Sequence, residues 1–131
     1  MGKYGEVAVR ATTYLKHKSA VSPKEAWRKA AKEIFPRSNS SQNKGCPRGA
    51  YLGLCEEGLV SGVPQGSYTR SRDNKRYAID GVMAISRQPS LAEDRIELWS
   101  RVMSGIAKKE NSQMDVVVEL WRAGLIDKEK V

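Results

Sequence analysis

Leu54-Cys55-Glu56-Glu57-Gly58-Leu59-Val60 returns 66 residues later as Leu120-Trp121-Arg122-Ala123-Gly124-Leu125-Ile126. In each stretch a leucine is followed, four residues on, by a glycine and then two apolar residues, which is typical of a helix that ends on a glycine. Trp27 and Trp99 repeat at a spacing of 72 residues, and Ser41-Gln42 returns after 71 residues as Ser112-Gln113. Because the three repeats keep the same order, the sequence predicts two similar helical units.

Apolar residues at helical spacing predict six main helices. The first runs from Tyr4 to Lys16, and the second from Pro23 to the residue before Pro36. The third begins at Pro47, with Cys46 as its cap, and ends before Gly58. The fourth runs from Asp73 to Ser86. The fifth follows a serine-to-glutamate cap at Ser90–Glu93 and carries the apolar residues Ile96, Trp99, Val102 and Met103. The sixth is capped by Ser112 and ends before Gly124.

The fold class expected from these helices is an all-α orthogonal bundle in a single domain, residues 1–131. Two three-helix units, about 3–60 and about 74–126, would be related by a pseudo-twofold axis. Residues 61–73 would connect the two units. Residues 58–72 contain two short β-prone pieces around a Pro/Gly turn, so a loop or a short β-hairpin is expected near 59–70. Residues 37–45 are expected to be a polar loop. The residues expected in or beside the shared core are Trp27, Leu54, Trp99, Leu120 and Trp121.

Composition places the chain among globular proteins, with 40% hydrophobic and 29% charged residues. No apolar run approaches the roughly 18–20 residues that span a bilayer. We therefore expect a cytoplasmic protein without a membrane partner. Cys46 and Cys55 would lie about 13 Å apart on one helix, too far for a disulfide, so we expect two free thiols.

Positive charge is concentrated in the first part of the chain. Residues 1–50 hold 11 Lys and Arg against 3 Asp and Glu, whereas residues 51–131 hold 12 of each kind. The net charge of +8 therefore belongs to the first 50 residues. Such asymmetry favours an anionic partner, nucleic acid above all. The alternative is a basic protein whose cations are simply solvated.

The segment Lys44-Gly45-Cys46-Pro47-Arg48-Gly49 lies at the start of the expected third helix and predicts an anion site. A helix start presents unpaired amides and about half a positive charge. Glycines let an anion approach the backbone closely, and Lys44 and Arg48 add full charges. The spacing is not that of a Walker motif. The alternative is a glycine-rich turn with solvated cations.

A basic stripe on the second helix is the next candidate for phosphate contacts. Lys24, Arg28 and Lys32 recur at i, i+4 and i+8, so they share one helix face. Such a face can follow a phosphate backbone, although it is also typical of an ordinary solvated helix. With the helix-start segment and two later arginines, the full set of expected anion-binding residues is Lys24, Arg28, Lys32, Lys44, Gly45, Arg48, Arg70 and Arg72.

Residues 22–72 resemble winged helix-turn-helix proteins locally. A helix is followed by Gly58-Leu59-Val60, a Pro/Gly turn and Tyr68-Thr69-Arg70-Ser71-Arg72, as at the end of a recognition helix and its wing. The resemblance implies a helix in the major groove and a wing on the DNA backbone. The sequence departs from that pattern at Glu56 and Glu57, whose charges would repel phosphate.

Candidates for catalysis or metal binding are few. Cys46, at a helix start beside Lys44 and Arg48, is a candidate nucleophile or redox sensor. His17 lies between two lysines and is not expected to serve as its base. Two cysteines and one histidine form no known zinc spacing, so no metal and no cofactor are expected. Asp115 and Glu119 form an i, i+4 pair of the kind that is usually solvated.

Three longer segments are similar to a small family of uncharacterised bacterial proteins: Ser40-Ser41-Gln42-Asn43-Lys44-Gly45-Cys46-Pro47, Leu52-Gly53-Leu54-Cys55-Glu56-Glu57-Gly58 and Asn111-Ser112-Gln113-Met114-Asp115-Val116-Val117. The resemblance implies a bacterial, single-domain protein and supplies no catalytic residue. The leading functional hypothesis is nucleic-acid binding through phosphate contacts. The alternatives are a protein-interaction or regulatory module and, if the protein is an enzyme at all, one that uses Cys46.

Overall fold

The structure, a computed structural model, describes residues 2–131 and is all-α, as predicted. Six helices of nine or more residues and one four-residue helix occupy the described chain. They are α1 (Lys3–Lys16), α2 (Pro23–Ile34), α3 (Asn39–Gln42), α4 (Gly45–Glu56), α5 (Arg72–Arg87), α6 (Arg95–Met103) and α7 (Gln113–Arg122). Short 3₁₀ turns cover Pro89–Glu93 and Lys128–Lys130. Over these residues, no helix has both the length and the apolarity needed to cross a membrane.

The start of α4 differs from the expectation. The helix begins at Gly45, two residues before the expected Pro47, and Lys44 rather than Cys46 holds the N-cap position. A proline is tolerated at the third helical position because the first amides of a helix have no acceptor within the helix. The expected polar loop before α4 also contains the short helix α3, whose cap is the Ser38 side chain accepting from the Ser41 amide.

Helices α4 and α7 meet near the middle of the bundle, and each receives a helix from the other part of the chain. Helix α1 packs on α2 and α7, while α5 packs on α4 and α6. Both crossings depend on glycine. A Cβ at Gly5 of α1 would lie 2.8 Å from the Asp115 carbonyl oxygen of α7, and a Cβ at Gly53 of α4 would lie 2.6 Å from Lys75 Cα of α5. The helix pairs can approach this closely only because the side chain is missing.

The two repeated stretches end their helices in the same way. Gly58 and Gly124 both have φ +72°, in the left-handed region that favours glycine. The Leu59 amide donates to the Leu54 carbonyl at 3.0 Å, and the Leu125 amide donates to the Leu120 carbonyl at 2.9 Å. Both are Schellman ends, as the repeated pattern predicts.

The segments that follow these helices pair with each other reciprocally. Val60 and Ile126 form an antiparallel β-bridge. The Ser61 amide donates to the Leu125 carbonyl, and the Asp127 amide donates to the Leu59 carbonyl, each at 2.8 Å. The bridge joins the end of α4 to the end of α7 across the bundle.

The possible β-hairpin near 59–70 is wrong, because no strand pairing forms within that segment of the described chain. Val60 pairs with Ile126 instead of with a residue of the segment. Further along, the amides of Tyr68 and Thr69 donate to the Glu56 carboxylate, so they are not available to a partner strand. A wing like that of winged helix-turn-helix proteins is therefore absent from residues 59–70.

The expected core residues are buried. Leu54 and Leu120 are fully enclosed, Trp27 and Trp99 are nearly so, and Trp121 packs against the core while half-buried. Ile96, one of the apolar residues of the expected fifth helix, does not lie on its buried face and is 86% exposed. The buried face of α6 is instead centred on Leu98.

The starts of α6 and α7 use other caps than the serines expected. Ser90 lies in a 3₁₀ turn, and α6 begins after Asp94, whose carboxylate accepts from the Glu97 amide at 3.0 Å. Ser112 has φ +73° and makes no side-chain cap. The Glu110 carboxylate takes that place by accepting from the Met114 amide at 2.9 Å.

The pair Asp115 and Glu119, expected to be solvated, is buried at 8% and 7% exposure. Asp115 accepts a hydrogen bond from the Gly5 amide at 2.7 Å. Arg95 donates to both carboxylates. The pair therefore fastens the start of α1 and the start of α6 to α7, and one guanidinium serves both carboxylates.

Candidate anion-binding groove

A cavity of about 970 Å³ opens between α2, α3, the start of α4 and the extended residues 67–71 that lead into α5. We call it the cationic groove, after six of its lining residues: Lys24, Arg28, Lys32, Lys44, Arg48 and Arg70. Gly45 lines it as well. The structure thus brings together seven of the eight anion-binding residues expected from the sequence.

Helix α2 supplies one long wall of the cationic groove. Lys24, Arg28 and Lys32 lie on one face because their spacing of four residues is close to a full helical turn, and they extend over about 12 Å. All three side chains are exposed. The opposite face of the helix is buried against the core through Ala26 and Ala30. The amphipathic pattern of α2 therefore turns its cations outward into the groove.

The start of α4 lies in the same groove. Lys44 at the N-cap makes no side-chain hydrogen bond to the helix, so the first amides of α4 have no side-chain acceptor. A Cβ at Gly45 would meet nothing within 4 Å, which shows open space directly in front of this helix end. The Lys44 ammonium lies over the Tyr4 ring, 5.2 Å from its centroid. The dipole of α4 and the charge of Lys44 therefore both make this helix start attractive to an anion.

The six cations of the cationic groove have no carboxylate within ion-pairing distance among residues 2–131. No Asp or Glu lines the groove within that same part of the chain. Elsewhere, cations such as Arg95 and Lys75 contact buried or half-buried carboxylates. The groove therefore concentrates positive charge that the protein itself does not neutralise.

Residues 67–71, which we call the strap, form another wall of the cationic groove. The Glu56 carboxylate anchors the strap by accepting from the Tyr68 amide at 2.8 Å and from the Thr69 amide at 3.2 Å. Lys75 of α5 donates to the same carboxylate at 2.6 Å. The Lys75 ammonium, together with these two amides, lowers the pKa of Glu56 to about 2.

The glutamates that seemed to oppose phosphate binding are thereby accounted for. Glu56 uses its charge on the strap and on Lys75, and Glu57 contacts the same ammonium at 3.1 Å. Neither carboxylate lines the cationic groove. The negative charge of this helix end is directed toward Lys75 of α5 and does not face the groove.

Arg72 was expected among the anion-binding residues, and the structure does not place it in the groove lining. It is the first residue of α5 and is exposed. Ser71 and Asn74 of the same turn do line the groove. Within α5, Arg72 and Asn74 lie about 200° apart around the helix axis, so Arg72 is on a different face from Asn74.

Cys46 lines the cationic groove and is half-buried. Both cysteines are free thiols, as expected. Cys55 is fully buried in the core, and this burial raises the pKa of its thiol to about 12. His17 is not part of the groove lining, so no imidazole faces Cys46 there. Within residues 2–131, no cluster of His, Cys, Asp and Glu could hold a metal ion.

Sequence reasoning missed the neutral polar side chains of the groove. They come from α3 and its C-cap, from the strap and from α5: Asn39, Gln42, Asn43, Ser67, Thr69, Ser71 and Asn74. Amides and hydroxyls of this kind can donate hydrogen bonds to phosphate oxygens. The polar composition of residues 37–45 signalled a surface loop, but no pattern showed that it faces α2. Trp27 also lines the groove, and its buried Nε1 has no hydrogen-bond partner in the described chain.

Comparison with curated proteins and with solved structures gives no match to this chain. A match to a protein family does exist and extends over nearly the whole sequence. It agrees with the expected similarity to an uncharacterised family. Since the match spans residues 1–127, the chain belongs to the Family of unknown function (DUF6979).

Proposed function

We propose that this is a small basic, cytoplasmic bacterial protein that binds nucleic acid through phosphate contacts in the cationic groove. One observation carries the proposal: six cations without ion-pair partners converge on a concave surface that no carboxylate lines. Leaving so many like charges together is unfavourable for the free protein. A polyanion that enters the groove removes this repulsion and releases its own counterions.

The neutral lining supports contacts to phosphate rather than to base edges. Most protein–DNA hydrogen bonds go to phosphate and sugar and carry no sequence information. The groove offers hydroxyls, side-chain amides and the start of α4, all of which suit phosphate oxygens. We therefore expect binding with little sequence preference.

A comparison of the two halves of the bundle also supports a site in the first half alone. We infer that the chain contains an internal duplication, because α1 packs on α7 as α5 packs on α4, and both central helices end in the same motif. In the second half, the Glu110 carboxylate caps the start of α7. In the first half, the start of α4 has no such carboxylate and faces the cations.

The test is fluorescence anisotropy of labelled oligonucleotides as a function of salt. Six phosphate contacts predict a slope of log affinity against log salt of about −4 for a single strand and about −5 for a duplex. The triple variant Lys24→Ala, Arg28→Ala, Lys32→Ala should halve the slope. The matched control removes three exposed cations that lie outside the groove and make no ion pair, Arg87, Lys109 and Arg122, and should keep the wild-type slope.

Absence of binding to any oligonucleotide at about 50 mM salt, where such contacts are strong, would end the proposal. Equal losses in the groove variant and the control variant would show a non-specific effect of net charge. A labelled polyglutamate probe separates the main alternative. If it binds and oligonucleotides do not, the groove serves an acidic protein partner.

A further inference from the structure

Tyr68 is the one aromatic side chain of residues 2–131 that neither pairs with another ring nor lies under a cation. The sequence holds three Trp, five Tyr and one Phe. Ring pairs join Tyr4 with Phe35, Trp27 with Tyr51 and Tyr77 with Trp99. Lys29 lies over Tyr14, and Lys128 lies over Trp121. The faces of Tyr68 have no such partner, although the ring is only half-buried.

Tyr68 stands between two cavities. It lines the cationic groove and also a second, smaller cavity of about 270 Å³. Besides Tyr68, its lining comprises Lys18, Ser22, Gly62 and six apolar residues. The apolar ones are Leu15, Ala20, Val21, Pro23, Val63 and Pro64. Its volume is several times the roughly 30 Å³ that one water molecule occupies in the liquid. A flat apolar group attached to a phosphate in the groove could therefore enter it beside Tyr68.

The Tyr68 ring is held in place from three sides. Its amide donates to the Glu56 carboxylate at 2.8 Å, and its hydroxyl donates to the Pro64 carbonyl at 2.8 Å. A Cβ at Gly66 would lie 2.6 Å from Tyr68 Cζ, so the ring fits only because this residue is glycine. An aromatic side chain fixed in this way loses little freedom when a ligand stacks on it.

We propose that Tyr68 is a stacking platform for a base of single-stranded nucleic acid whose phosphates occupy the cationic groove. The inference rests on the proposed function and adds to it the strand state of the partner. A groove of cations beside an aromatic ring is the combination used by proteins that bind single strands without sequence preference. In a duplex the bases are stacked on each other and cannot reach such a ring without unpairing.

The experiment compares two labelled strands of equal length and charge, oligothymidylate and an abasic strand that keeps every phosphate. Stacking of one base predicts about 5- to 150-fold tighter binding of oligothymidylate by the wild-type protein. Tyr68→Leu should abolish this preference and leave affinity for the abasic strand unchanged. Tyr68→Phe retains the ring and should retain the preference. Tyr14→Leu, which removes another half-buried tyrosine outside both cavities, should behave like wild type.

Equal wild-type affinity for the two strands would overturn the inference while leaving phosphate binding intact. A Tyr68→Leu variant that weakens both strands alike would also overturn it, because the residue would then act only through the strap. Duplex binding as tight as single-strand binding at the same salt concentration would count against it in the same way. Failure of the wild-type protein to bind either strand would overturn the proposed function itself, and this inference with it.

Discussion

Glu56→Gln removes the charge that anchors the strap while keeping the shape of the side chain. In the wild-type protein the carboxylate accepts two strap amides and contacts the Lys75 ammonium at 2.6 Å. Its side chain is 14% exposed and that of Lys75 is 17% exposed. A glutamine can still accept a hydrogen bond, but it loses the ion pair and the stronger charge-assisted bonds.

The pKa of Glu56 gives the size of the effect. A decrease from 4.5 to about 2 corresponds to about 3 kcal/mol at 1.36 kcal/mol per unit. Solvent screening near the surface reduces this, so we expect Glu56→Gln to lower the free energy of unfolding by about 1–2 kcal/mol at pH 7. Since the pKa is lowered in the folded state, the stabilisation is complete above pH 4.5 and is lost as the pH falls through about 2.

Urea denaturation of wild type and variant at several pH values measures this. The difference in free energy of unfolding should fall by more than half between pH 7 and about pH 3. Glu57→Gln is the matched control, because Glu57 is 43% exposed and anchors no strap amide through its carboxylate. Its effect should stay below about 0.5 kcal/mol. A pH-independent difference, or equal effects of the two substitutions, would refute the role given to the carboxylate of Glu56.

Two further predictions follow from burial and close packing. In the native protein a thiol reagent near pH 8 should modify Cys46 alone, because burial raises the pKa of Cys55 to about 12. Mass spectrometry identifies the modified cysteines, and modification of both thiols before unfolding would contradict this prediction. Gly53→Ala should destabilise the protein by about 1–3 kcal/mol, as overpacking does, since its Cβ would lie 2.6 Å from Lys75 Cα. Gly45→Ala, with nothing within 4 Å, should leave the denaturation midpoint nearly unchanged, and similar midpoints for the two variants would refute the packing argument.

The helices could be predicted because their signals are local. Each signal depends on residues that are close together in the chain. Examples are the helix start at Ser22-Pro23-Lys24-Glu25, the helix ends at Gly58 and Gly124, and the apolar periodicity. Ile96 shows where local reasoning fails. The buried face of α6 is centred on Leu98, and Arg95 takes the inward position in the first turn because Asp115 and Glu119 lie opposite. Nothing in the periodicity of α6 itself reveals carboxylates on another helix.

The candidate site was predictable in its charges and not in its shape. The stripe on α2 and the Lys44–Arg48 segment follow from spacing alone. The path of the strap decides that Arg70 lines the groove and Arg72 does not. Glu56 of α4 fixes this path by accepting from the amide of Tyr68, 12 residues later in the chain. A glutamate in an apparent recognition helix looked like an obstacle to phosphate. In the structure it is the anchor that holds one wall of the groove.

The contrast between the starts of α4 and α7 explains why one half of the bundle carries the groove. At the start of α7, the Glu110 carboxylate caps the Met114 amide, and Asp115 accepts from Gly5 of the crossing helix. That helix start is satisfied by the protein's own negative charge and has no capacity left for an anion. At the start of α4 the crossing helix meets Gly49 instead, where a Cβ would already lie 3.0 Å from Ser71. No carboxylate side chain caps α4 there. The anion that we propose for the groove would complete this helix start, with unpaired cations around it.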